Sequence, residues 1–124
     1  MKSSTGTDGT ILFPLSISQL AEAACTTVHT VRSYLSEGLL ECASHTDAGY
    51  RLFDRGALDR LLIIRAAREA GLLVRDIKPL ISALNAGDKT AACETIAVLQ
   101  VKIAEKRSRL RELDERLMTL ARIG

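Results

Sequence analysis

Arg32 and Tyr34, in the run Thr30-Val31-Arg32-Ser33-Tyr34, and Arg51, directly after Gly49-Tyr50, are the residues whose chemistry is easiest to name. A guanidinium presents a planar fork of N–H donors that matches a phosphate or a guanine edge. A tyrosine hydroxyl adds one donor to a phosphate oxygen, although its ring is equally at home in a core. If this segment is helical, Val28, Val31 and Leu35 turn inward, and His29 and Thr30 share the outer face with Arg32. Both could then touch base edges or backbone, while His29 also reads as an ordinary exposed histidine. Arg65 adds a further cation, and Arg68, one turn on, is accounted for by Glu69 and solvent. These residue types bind a polyanion and break no bond. His29 and His45 stand in polar segments without a Ser or Cys nucleophile pattern, and the glycines form no phosphate loop. Neither an enzyme nor a cofactor is expected.

The elements that must position these groups are bounded by size and composition. A chain of 124 residues makes one small domain, or one domain with an appendage. It is 47% hydrophobic but only 3% aromatic, so its core is expected to be aliphatic. A formal net charge of +2 is too small to announce a nucleic-acid binder, so the placement of the charges must decide. No apolar run is long enough to span a bilayer, and the start lacks a signal-peptide pattern, so no membrane role is expected. Cys25, Cys42 and Cys93 form neither a disulfide framework nor a CxxC metal site, which suits a reducing cytoplasm. Cys93 is expected as a buried small residue. A metal there would need ligands from a second chain, since structural zinc takes four.

Residues 1–12 are rich in Ser, Thr and Gly and are expected to form a disordered tail. Ser18 is a candidate N-cap for a first helix through Ala24, with Leu20, Ala21 and Ala24 at core spacing. Thr26 or Thr27 caps a second helix that Gly38 closes. Glu41 to Ala48 reads as polar loop. Tyr50 to Phe53 reads as a short strand with Tyr50 and Leu52 on one face and Arg51 and Phe53 on the other. A third helix is predicted over Gly56–Ala70, carrying Leu58, Leu61, Leu62 and Arg65. A fourth spans about Val74–Leu84, where Pro79 demands a kink or a later start. From Thr90 to Ile123 there is no Gly or Pro. Ile96, Leu99, Ile103, Leu110, Leu113, Leu117 and Leu120 recur at three-four spacing, with Lys106 the one interruption. Such a stripe has no partner in the chain, and a second copy would bury it in a homodimeric coiled coil. The basic stretch Lys102, Lys106, Arg107, Arg109 and Arg111 reads as its solvated flank.

Ile17-Ser18-Gln19-Leu20-Ala21, Thr30-Val31-Arg32-Ser33-Tyr34, Glu37-Gly38-Leu39-Leu40, Gly49-Tyr50-Arg51 and Leu61-Leu62-Ile63-Ile64-Arg65 occur in this order. With Gly71 and Asp76-Ile77 they make the chain resemble the MerR family of bacterial transcriptional regulators, over nearly everything after the tail. The resemblance implies a mainly α fold: a winged helix-turn-helix over residues 13–86, then a dimerisation helix over 88–124 that forms an antiparallel coiled coil. It implies contacts to double-stranded promoter DNA from His29, Thr30, Arg32, Tyr34, Arg51 and Arg65, and action with RNA polymerase on an over-long promoter spacer. Within the family the chain is similar to the small co-regulators of mercury-resistance operons, and it ends at Gly124, where a sensor loop would begin. That likeness implies a repressor or co-regulator that does not itself sense the inducer. Three positions depart from the family pattern. Cys25 stands where glycine is usual, so the turn is expected to avoid a left-handed conformation there. Ser33 replaces a tyrosine, and Cys42 replaces a proline at the start of the wing. Two alternatives stay open: a metal- or redox-responsive activator using Cys93, and a coiled-coil interaction protein that no longer binds DNA.

Overall fold

A computed structural model describes residues 11–123. Its elements are α1 (Ile17–Ala23), α2 (Val28–Ser36), β1 (Ser44–His45), β2 (Arg51–Leu52), α3 (Arg55–Glu69), α4 (Val74–Asn85) and α5 (Lys89–Ile123). The contacts group the chain into one unit through Lys78 and a second from Pro79 onward. Mainly helical, with a two-stranded antiparallel wing and a long final helix, this is the predicted fold class.

Helix α1 begins two residues earlier than its sequence suggests. Ser16, not Ser18, is the N-cap: its hydroxyl accepts from Gln19 N at 3.1 Å, and the Gln19 carboxamide accepts from Ser16 N at 2.9 Å. Two orphan donors are satisfied by one reciprocal pair, which an N-cap at Ser18 could not achieve. The helix ends in a Schellman turn, with Thr26 N donating to Ala21 O and Cys25 N to Glu22 O. That closure places Cys25 at φ 55°, in the left-handed region. The expectation that the turn avoids this conformation is therefore wrong. The same pair of hydrogen bonds ends α2, with Gly38 at φ 76° in the equivalent place. The closure demands the backbone shape whichever residue sits there, and only glycine adopts it without steric cost. Replacing Cys25 with Gly should relieve about 1–2 kcal/mol of strain against roughly 0.4–1 kcal/mol of extra unfolded-chain entropy. A small rise in melting temperature at fixed protein concentration is expected. A fall would mean that the thiol side chain contributes more than its backbone costs.

The first unit closes over Leu20, Val31, Leu39, Phe53, Leu61 and Ile64, all at or below 1% exposure. The core is aliphatic around one aromatic ring, that of Phe53. The predicted alternation along Tyr50–Phe53 does not hold, because Arg51 is exposed while Phe53 is fully buried. Phe53 leaves the hairpin to bridge Leu15, with both backbone bonds at 2.8 Å, and this pairing seats its ring. Asp54 then caps α3 through Ala57 N at 3.0 Å. Leu62 is 42% exposed, off the buried stripe of Leu58, Leu61 and Ile64.

In the second unit, Leu80 and Ala83 of α4 pack with Ala92 of α5, flanked by Leu84, Ala91 and Leu99. Helix α4 keeps its start at Val74 with Pro79 inside it, so the later start does not hold. Helix α5 has 35 residues, about 50 Å of rod. Its stripe is not wholly without a partner in the chain, since Leu99 is half-buried on the α4 cluster. Beyond it, Ile103, Leu110, Leu113, Leu117 and Leu120 are 38–65% exposed.

Candidate nucleic-acid interface

Helix α2 is held by both ends. Thr27 accepts from Thr30 N at 3.1 Å, and its hydroxyl stands 3.0 Å from the Thr30 hydroxyl. Val31, fully buried, anchors the inner face. Arg32 and His29 consequently lie on the exposed side, with Thr30 and Tyr34 half-buried at its margins. The turn between α1 and α2 spans only four residues, so the two helices form a compact helix-turn-helix.

The wing is a hairpin in which Ser44 pairs with Leu52 and His45 with Arg51. Its first strand lies inside the segment predicted as polar loop. Thr46 N donates to Tyr50 O at 2.8 Å, and the Thr46 hydroxyl accepts from Tyr50 N at 3.1 Å, closing the loop at Gly49. Tyr50 at the tip is 73% exposed and Arg51 is exposed beside it. Sequence reasoning missed Tyr50 as a candidate. Its signal was available: an aromatic following a Gly at a hairpin tip has little core to bury in.

Arg32 and Arg51 come together. Both line a groove of about 450 Å³ between α2 and the wing, whose apolar part is Leu35 and Leu40 and whose one carboxylate is Glu41. Cys42 lines it too, with its sulfur 3.8 Å from His45 Nε2. Two guanidiniums against one carboxylate leave the groove net positive, which suits a phosphate backbone.

Arg65 is not part of that groove. Its guanidinium is 3.5 Å from Glu69, so Glu69 serves Arg65 and not Arg68 as predicted. Arg68 instead donates to Leu72 O at 3.1 Å, beyond the end of α3. The (i, i+4) geometry decides this, because a residue reaches the next turn more readily than its immediate neighbour. An exposed pair of this kind yields easily to a phosphate. Cys93 is exposed rather than buried, since Ala92 occupies the core-facing position and the next residue is turned some 100° away. Among the described residues no group of three or more His, Cys, Asp or Glu side chains could hold a metal ion. No described helix is long and apolar enough to cross a membrane.

Residues 15–84 match the profile of the MerR HTH family regulatory proteins. The chain belongs to the MerR family. It is 40% identical over 104 residues to the HTH-type transcriptional regulator MerD of Shigella flexneri, covering 84% of this chain and 87% of that one. To ZntR of Escherichia coli K12 it is 30% identical over 108 residues, covering 87% and 77%. The fold is also that of HiNmlR, a MerR family regulator lacking the sensor domain and solved bound to promoter DNA. There the TM-score is 0.68 at 24% identity, covering 85% of this chain and 79% of that one. The protein is thus a DNA-binding transcriptional regulator of the MerR family, similar to MerD, and its matched relatives are regulators rather than enzymes.

Proposed function

We propose that the protein acts in the cytoplasm as a homodimer on a two-fold symmetric promoter operator. In this reading, residues 13–86 grip DNA and residues 88–124 join the protomers. The observation that carries the DNA half is the groove shared by Arg32 and Arg51. One cation sits on the helix that would enter the major groove and the other on the wing beside it, so one phosphate stretch can satisfy both. His29, Thr30 and Tyr34 flank Arg32, and Arg65 supplies a second contact point once a phosphate displaces Glu69. The dimer half rests on the bare stripe from Ile103 to Leu120, which an antiparallel second copy of α5 would bury.

The similarity to MerD extends this to a repressor or co-regulator of a mercury-resistance operon, acting with RNA polymerase at the promoter without detecting the metal itself. DNase footprinting on a mercury-resistance promoter tests it. Protection should cover two half-sites about one helical turn or a multiple apart, unchanged by mercuric ion. Protection that appears only with the metal would overturn the co-regulator reading and favour a sensor.

A further inference from the structure

We propose that Cys42 is a modification site. Thiol–disulfide exchange with a small, carboxylate-bearing disulfide places an anionic adduct between Arg32 and Arg51 and so releases DNA. The release step rests on the DNA-binding role proposed above; the chemistry of the site does not.

Of the three thiols, Cys42 is the one set back from the surface, and Cys25 and Cys93 are exposed. It is also the one with a side-chain partner, His45 Nε2 at 3.8 Å from Sγ. The hairpin sets this up, because Cys42 lies just before β1 and His45 is paired in it opposite Arg51. Cys42 thereby faces the same groove as two arginines, with His45 against its sulfur from the adjoining strand. The groove, about 450 Å³, is as large as pockets that take small molecules, which begin near roughly 300 Å³. Its two guanidiniums and single Glu41 carboxylate favour a ligand bearing carboxylates, which arginine binds through two parallel hydrogen bonds.

The exchange balances as follows. The Cys42 proton passes to His45 Nε2 as Sγ attacks one sulfur of the disulfide. The disulfide S–S bond breaks and a new one joins Sγ to the attacked sulfur. The other half leaves as a thiolate and takes the proton back from His45. The protein sulfur is oxidised, the departing thiol is reduced, and no further oxidant is required. The retained half then presents its carboxylates to Arg32 and Arg51, the two groups that the DNA phosphates need.

The test incubates the reduced full-length protein with glutathione disulfide, maps the adduct by peptide mass spectrometry, and follows binding to a fluorescein-labelled promoter duplex by anisotropy. The expected result is an adduct at Cys42, a loss of DNA affinity of at least about tenfold, and full recovery with dithiothreitol. Cys42→Ser should bind DNA as the reduced wild type does and ignore the disulfide, whereas a Cys25→Ser/Cys93→Ser double variant stays sensitive. His45→Gln should slow adduct formation without altering DNA affinity of the reduced protein. Hydroxyethyl disulfide, which is uncharged, should react more slowly. An adduct confined to the other cysteines, an adduct at Cys42 that leaves affinity unchanged, or equal sensitivity of Cys42→Ser overturns the proposal. Equal rates for charged and uncharged disulfides overturn its anionic preference. If the reduced protein binds no duplex, the DNA role and the release step fail together, and the mass map alone still decides whether Cys42 is the reactive thiol.

Discussion

Changing Leu113 and Leu117 together to glutamate should convert the proposed dimer to a monomer and reduce operator affinity by more than about a hundredfold. Both leucines are more than half exposed in the protomer, so the isolated fold loses little when they change. In a paired α5 each would bury its side chain, a gain of about 1.5–3 kcal/mol per leucine. The substitution removes four such contributions per dimer and puts four carboxylates into the seam, where an uncompensated charge is more costly still. Light scattering at micromolar concentration reads the mass, and circular dichroism checks that the helices persist. The affinity loss follows because one reading head no longer holds its twin near the second half-site. A double variant that stays dimeric, or a wild type already monomeric at that concentration, would refute the antiparallel pairing.

The second large effect concerns the groove. Arg32→Ala and Arg51→Ala should each weaken operator binding by at least roughly thirtyfold, because each removes a guanidinium contact of about 1–3 kcal/mol from both protomers of the proposed dimer. In a dimer each substitution removes two contacts, so if both reach phosphate the slope of log affinity against log salt should flatten by about two units. A residue that reads a base edge behaves differently: its loss relaxes sequence preference while the salt slope holds. Comparing operator with random duplex across a salt series separates the two roles. The Arg65→Ala loss should be smaller, because Arg65 must first give up Glu69 3.5 Å away. Unchanged affinity in both Arg32→Ala and Arg51→Ala would sink the interface.

Periodic elements were legible in the chain and local exceptions were not. The helices announced themselves through apolar spacing, and Gly38 and Gly71 marked their ends, since nothing but backbone geometry competes at those positions. The start of α1 was misplaced because Ser16 and Ser18 are both good caps, and only the reciprocal bond with Gln19 separates them. Strand β1 was missed because Ser44–His45 is too short to show alternation and takes its shape from its partner. Cys25 misled in a different way. Residue type argues against a positive φ there, but the hydrogen bonds that close α1 outweigh a preference of about 1–2 kcal/mol. At the interface, Arg32 and Arg51 could each be picked out singly, but nothing in their separation of nineteen positions revealed a common cavity. Nor did it reveal that Cys42 lines it, with His45 against its sulfur. Those facts depend on the hairpin register, which only the folded chain supplies.

The double backbone bond between Leu15 and Phe53 has a practical side. It moors the residues just ahead of the first helix to the base of the wing, two residues from Arg51. A purification handle spliced close upstream of Leu15 would therefore pull on the hairpin instead of trailing harmlessly, and if the wing holds DNA as proposed, affinities measured with such a handle attached should fall below those of the untagged protein.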